Sequence, residues 1–139
     1  MAKILVVEDR LANMKLAVLL LQKAGYSVLS ARDAEAGLTL AQTEQPDLIL
    51  MDIQLPGMDG LVATALLKQN LATRTIPIIA LTALAMTGDE ERCRGAGCDG
   101  YIAKPLRYQE LLAEIKAQLE KRDYLLYSSM EPPKEESPP

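Results

Sequence analysis

Five short apolar runs recur along this chain, and each is followed by a stretch with helical periodicity. Lys3–Val7 is apolar and β-branched, and Leu11–Ala24 reads as a helix closed by Gly25. Tyr26–Ser30 alternates like a strand, and Asp33 can cap a helix reaching Glu44, with Pro46 marking its end. Asp47–Met51 is the third strand, and Asp59 can cap a helix from Gly60 to Asn70. Ile76–Leu81 follows, with Pro77 tolerable near its start. Thr87 or Asp89 opens a shorter helix that ends around Gly95–Gly97, before a very short strand at Tyr101–Ala103. Tyr108–Lys121 is a final amphipathic helix with Leu111, Leu112, Ile115 and Leu119 on one face.

Apart from Tyr26–Ser30, the strand runs are apolar without alternation, as in a parallel sheet covered on both faces. With right-handed crossovers, the expected fold is α/β: a flavodoxin-like (βα)5 doubly wound parallel sheet with strand order 2-1-3-4-5. In that order strands 1 and 3 are neighbours at the switch point, where ligands bind at the carboxyl ends of the strands. A chain of 139 residues suits one such domain, expected over residues 1–121. Residues 122–139 form a C-terminal extension, and four of the eight prolines fall in its last eight residues among acids and serine, so its end is expected to be disordered.

Composition narrows the function. The formal net charge is −4 and no block of Lys and Arg stands out, which argues against a nucleic-acid partner. No apolar run approaches the roughly 20 residues of a membrane span. The start, Met1-Ala2-Lys3-Ile4, leads straight into strand-like sequence without the parts of a signal peptide, so the expected compartment is the cytoplasm. Cys93 and Cys98 do not make a zinc pattern and read as two free thiols. The chain has no His, which excludes His-based triads, His metal ligands and phosphohistidine on this chain.

The chemistry should sit at the strand ends. The first strand ends in Glu8-Asp9, the third in Asp52, the fourth in Thr82-Ala83 and the fifth in Lys104-Pro105. Three carboxylates at one sheet edge repel, so either a cation joins them or at least one pKa rises. Hard oxygen donors without His or Cys suit Mg²⁺ better than zinc. A carboxylate can act as a nucleophile toward phosphorus, and a phosphoryl group on Asp52 would employ the remaining residues. Lys104 would neutralise one equatorial oxygen, and the Thr82 hydroxyl and the Ala83 N–H would donate to others. Pro105 allows a cis bond that would aim Lys104 inward.

These motifs, VVED at 6–9, LILMDIQLPGMDG at 48–60, ALTA at 80–83 and DGYIAKP at 99–105, resemble the receiver domain of two-component response regulators. The resemblance covers residues 2–121. It implies that Asp52 is the phosphoacceptor, that Asp9 ligates Mg²⁺ directly and Glu8 through water, and that the backbone carbonyl of Gln54 completes the metal site. It also implies that Thr82 is the switch hydroxyl, that Tyr101 is the aromatic turning inward with it, and that Lys104 is the family's lysine. The partners it implies are a sensor histidine kinase or histidine phosphotransfer domain and a downstream protein. No output domain is expected, so the chain reads as a stand-alone receiver, similar to DivK-like single-domain regulators and to receivers attached to hybrid kinases.

Plainer readings stand beside these. Asp52 could be a salt-bridged strand-end acid, Glu8-Asp9 a solvated loop, and Tyr101 ordinary strand packing. GAGCDG at 95–100 matches G-x-G-x-x-G, but it closes a helix instead of opening one, so it is no dinucleotide loop. LAVLLL at 16–21 is expected to be mostly core, with any excess forming a docking ridge. Tyr124-Leu125-Leu126-Tyr127 leaves two readings open: an extended last helix packed back on the domain, or a contact with a partner or second copy. A homodimer could use that extension or the face of the fourth helix, fifth strand and fifth helix. An aspartyl-nucleophile phosphohydrolase is disfavoured because Gln54 stands where such enzymes place a second acid. The third reading is an inert scaffold, against which the intact acid, hydroxyl and lysine set argues.

Overall fold

Three of the strands are built almost entirely of buried apolar residues, and they occupy the middle of the sheet. A computed structural model of the protein describes residues 1–83 and 88–130. In chain order its elements are β1 (Lys3–Val7), α1 (Leu11–Lys23), β2 (Ser27–Ala31), α2 (Ala34–Glu44), β3 (Leu48–Asp52), α3 (Gly60–Gln69), β4 (Ile78–Thr82), α4 (Asp89–Ala96), β5 (Gly100–Ala103) and α5 (Tyr108–Met130). The sheet is parallel, in the order β2-β1-β3-β4-β5, as the apolar runs require. Every residue of β3 and β4 is buried, whereas the edge strands β2 and β5 are only partly covered.

Alternation along each strand splits the core in two. Leu5, Val7, Ile49, Met51, Ile78 and Ala80 pack with Ala34 and Ala41 of α2, Ala63 and Leu67 of α3, and Cys93 of α4. Ile4, Val6, Leu48, Leu50, Ile79 and Leu81 face the other way, toward Met14, Ala17 and Leu21 of α1 and Leu111 and Ile115 of α5. Of the run 16–21, Ala17 and Leu21 are core, while Leu16 and Leu19 are 40% and 65% exposed.

The helix starts follow local chemistry. The Asp33 carboxylate accepts from the Ala36 N–H, and that of Asp59 accepts from the N–H groups of Leu61 and Val62. These bonds satisfy donors that a helix start otherwise leaves bare. Helix α4 opens at Asp89 after Gly88; Thr87, the other candidate for its start, lies outside the described residues. At its far end Gly97 has φ of 105°, its N–H donates to the Arg94 carbonyl, and the Cys98 N–H donates to the Cys93 carbonyl. That pair of bonds is a Schellman closure, which brings the side chains of Cys93 and Cys98 to the same place. The glycines of GAGCDG therefore end a helix.

Both cysteines are free and buried. Burial raises the Cys93 thiol and pushes that of Cys98 up to about 12. Since the thiolate is the reactive form, neither is expected to react with a disulfide reagent at neutral pH in the native protein. Two thiols should titrate after denaturation, and one fast native thiol would contradict this packing.

Three boundaries differ from expectation with structural consequence. Strands 3 and 4 end one residue later than the apolar runs indicate, so Asp52 and Thr82 are the last residues of β3 and β4. The last helix does not stop at Lys121; it continues to Met130. No Gly or Pro interrupts the sequence before Pro132, so nothing there breaks the helix. Arg122 fastens this continuation to the base of the sheet. Its Nη1 lies 2.9 Å from Asp47 Oδ1 and 3.1 Å from the Asp47 carbonyl, while Asp47 Oδ2 accepts from the Lys3 N–H at 2.7 Å. The proline-rich end, predicted to be disordered, lies outside the described residues.

Candidate functional site

The parallel register delivers the strand-end residues to one edge. Asp52 pairs across the sheet with Leu81, and Thr82 with Ala103, which places Lys104 one residue further on. Asp52 is 3% and Glu8 2% exposed. Burying two carboxylates this deeply is costly unless each is compensated.

The Lys104 ammonium provides part of that compensation. Its Nζ lies 2.9 Å from Asp52 Oδ2 and 3.1 and 3.3 Å from the two oxygens of Glu8. The Lys104–Pro105 peptide is cis. The second oxygen of Asp52 accepts from the Gln54 N–H at 2.8 Å. Asp9 completes the group: one carboxylate oxygen each from Glu8, Asp9 and Asp52 lies within 4.8 Å of the others. The far side of the Asp9 turn is held by Arg32, whose Nη2 donates to the Asp9 carbonyl at 2.9 Å.

The electrostatics separate the two buried acids. Burial raises Glu8 to about 7, helped by the neighbouring Asp52 carboxyl and opposed by Asn13 and Lys104. Burial would raise Asp52 too, but hydrogen bonds from Glu8, Lys104 and the Gln54 N–H outweigh it and hold Asp52 below the usual carboxylate range. Both remedies expected for crowded carboxylates are therefore present: the Lys104 ammonium lies among them, and the pKa of one acid, Glu8, is raised. Asp52 is the acid held toward its ionised form, the form in which a carboxylate can attack phosphorus.

Asp9 Oδ1 is buried and has no hydrogen-bond partner among the described residues. A buried acceptor left bare in a cluster of hard oxygen donors, with neither His nor thiolate in the group, is the donor set of Mg²⁺. The geometry thus fits the cation that the strand ends suggest.

Thr82 is fully buried, and its hydroxyl donates to Asp89 Oδ2 at 3.5 Å. Tyr101 lies apart from the acids on β5, half-buried against the core beside α4. The side chain of Gln54 is exposed, so its contact with the site is through its backbone. In the sequence Asp89 reads only as a helix opener, and Asn13 and Arg32 do not stand out. The one available signal for Asp89 is its place at the start of the element that follows Thr82.

A family model described as the response regulator receiver domain matches residues 4–116. The chain belongs to the response regulator receiver family. Receivers are signalling domains of two-component systems, and curated relatives include DivK regulators. The polar-differentiation response regulator DivK of Brucella anthropi is 47% identical over 116 residues, covering 84% of this chain and 94% of DivK. DivK of Brucella ovis matches to the same extent, at 47% identity over 84% of this chain and 94% of that protein.

Solved receivers share the fold. The CheY-like receiver domain protein of Methanospirillum hungatei superposes with a TM-score of 0.82 at 30% identity, covering 89% of this chain and 98% of that one. The receiver domain of a Pseudomonas aeruginosa sensor histidine kinase has a TM-score of 0.80 at 37% identity, covering 86% of this chain and 98% of its own. That structure is described with a magnesium ion coordinated in its active-site cleft.

Proposed function

We propose that Asp52 accepts a phosphoryl group from a histidine kinase or histidine phosphotransfer protein in a Mg²⁺-dependent reaction, and that the protein signals in the cytoplasm through protein contacts that this modification changes. The observation that carries the reading is the setting of Asp52, a buried strand-end carboxylate with one oxygen fixed by the Gln54 N–H and the other by Lys104, which together hold it below the usual carboxylate range.

Asp52 attacks phosphorus, and a P–O bond forms as the donor's P–N bond breaks. The donor imidazole leaves as a neutral group once it carries its proton. Asp9 and Asp52, and Glu8 through water, would hold Mg²⁺, with the backbone carbonyl of Gln54 completing the site. When bound, Mg²⁺ neutralises charge on the phosphoryl oxygens. Lys104 moves its ammonium from the Asp52 carboxylate to a second phosphoryl oxygen. Thr82, together with the Ala83 N–H, donates to a third and turns away from Asp89. That movement frees the space beside β5 into which Tyr101 turns, and it alters the face of α4, β5 and α5. Leu11, Leu16 and Leu19 on α1, all exposed, form the ridge offered to the phosphoryl donor.

Two variants test the coupling. Lys104→Ala and Thr82→Ala are expected to accept the phosphoryl group, more slowly for Lys104→Ala, without the change that follows in the parent. The readout is amide hydrogen exchange over α4 and β5 before and after labelling. A parent-like change in both variants would remove Lys104 and Thr82 from the switch.

A further inference from the structure

The apolar stripe of α5 does not end where the domain ends. Leu111 and Ile115 are fully buried, but past the Arg122–Asp47 clamp the helix carries Tyr124, Leu125, Leu126, Tyr127 and Met130, which are 69%, 57%, 46%, 65% and 82% exposed. Four consecutive large apolar residues, spaced by ~100° each, point all the way round the helix. A helical segment that is apolar on every side is normally covered by neighbours, and one this short is marginal in water without them.

The segment also borders a groove of ≈ 390 Å³ between α5 and the base of the domain, lined by Leu125, Leu126 and Pro77 together with Arg74, Lys121 and Asp99. Apolar walls beside charged groups suit a side chain with an apolar body and a polar tip, which is what a tyrosine offers.

We propose that this overhang is the interface of a two-fold dimer of this chain, in which Tyr124 and Tyr127 of each copy enter the groove of the other. Three observations favour a second copy over a different partner. Knob and groove adjoin, because Leu125 and Leu126 beside the two tyrosines form one wall of the groove, so one two-fold axis can satisfy both at once, as an isologous contact requires. Residues 124–130 carry no charged side chain, so two copies meet there without repulsion. The five exposed side chains offer on the order of 600 Å² per copy, taking ~150–250 Å² for each aromatic. Doubled by symmetry and joined by the groove walls, that area reaches the lower range of specific interfaces, about 1,200 Å² in total. The expected dimer is therefore reversible and concentration-dependent. The inference uses none of the phosphotransfer chemistry and stands or falls separately from it.

Sedimentation velocity on the full chain is the test. The mass should rise from 15.2 kDa toward twice that value as loading increases from micromolar to sub-millimolar. The Leu126→Asp/Tyr127→Asp double variant should stay monomeric at every loading with its circular dichroism retained. Tyr127→Ser alone, which removes an already exposed ring and so leaves the monomer folded, should weaken the dimer at least tenfold. Arg94→Glu, on the outer face of α4, should leave it unchanged. A parent that stays monomeric throughout would overturn the proposal, meaning that some other partner covers the overhang. So would a dimer that resists Tyr127→Ser but is lost in Arg94→Glu.

Discussion

Asp52→Asn is expected to take no phosphoryl group from a small acyl-phosphate donor under conditions that label the parent fully. The substitution is close to isosteric, and the Gln54 N–H still finds an oxygen to donate to. What disappears is the charge. A neutral amide oxygen is too weak a nucleophile to displace a leaving group from phosphorus. Removing Asp52 also removes the neighbouring carboxyl that helps to raise Glu8, so Glu8 should ionise more readily and keep Lys104 paired. The variant should therefore fold normally, with parent-like circular dichroism and thermal stability, and differ only in labelling. Continued labelling at the same stoichiometry would place the acceptor elsewhere.

The second large effect concerns a residue with no side chain. In Gly60→Ala the new Cβ would lie 2.0 Å from the Asp52 carbonyl oxygen, 2.8 Å from its carbon and 2.8 Å from the Ile53 Cα. All three are backbone atoms at the end of β3, and none can rotate aside. In an ordinary helix interior Ala is more favourable than Gly by about 1 kcal/mol. Here the close approach reverses the sign, and the expected loss is about 3 kcal/mol, read from the midpoint of urea unfolding at constant slope. The surviving folded fraction should label more slowly, because the start of α3 presses on the peptide that carries Asp52. Unchanged or increased stability would contradict the packing of α3 against β3.

The order of elements and the gathering of the acids were legible because both follow from short-range pattern. Continuous apolar runs define central strands, and residues just after parallel strands share an edge whatever their distance in sequence. Glu8, Asp9, Asp52 and Lys104 could thus be placed together without knowledge of a single contact. The less legible features depend on three-dimensional neighbours. Nothing in the sequence pairs Arg122 with Asp47, yet that clamp extends α5 beyond its expected end. Nothing pairs Asp89 with Thr82. Gly60 reads as the residue after a cap, and its requirement for close approach is visible only once Asp52 lies beneath it. The relation of Cys93 to Cys98 belongs to the same class, because a spacing read only as unsuited to metal is the two ends of a helix closure.

The central claim is that the buried acid at the end of β3 is a phosphoryl acceptor that works with Mg²⁺. Intact-mass measurement of the parent after incubation with an acyl-phosphate donor, with Mg²⁺ and with a chelator, tests it most directly. The expected result is one phosphoryl adduct per chain, present only with Mg²⁺ and located to the peptide containing Asp52. An adduct that forms equally under chelation, or that lies on another residue, would contradict it.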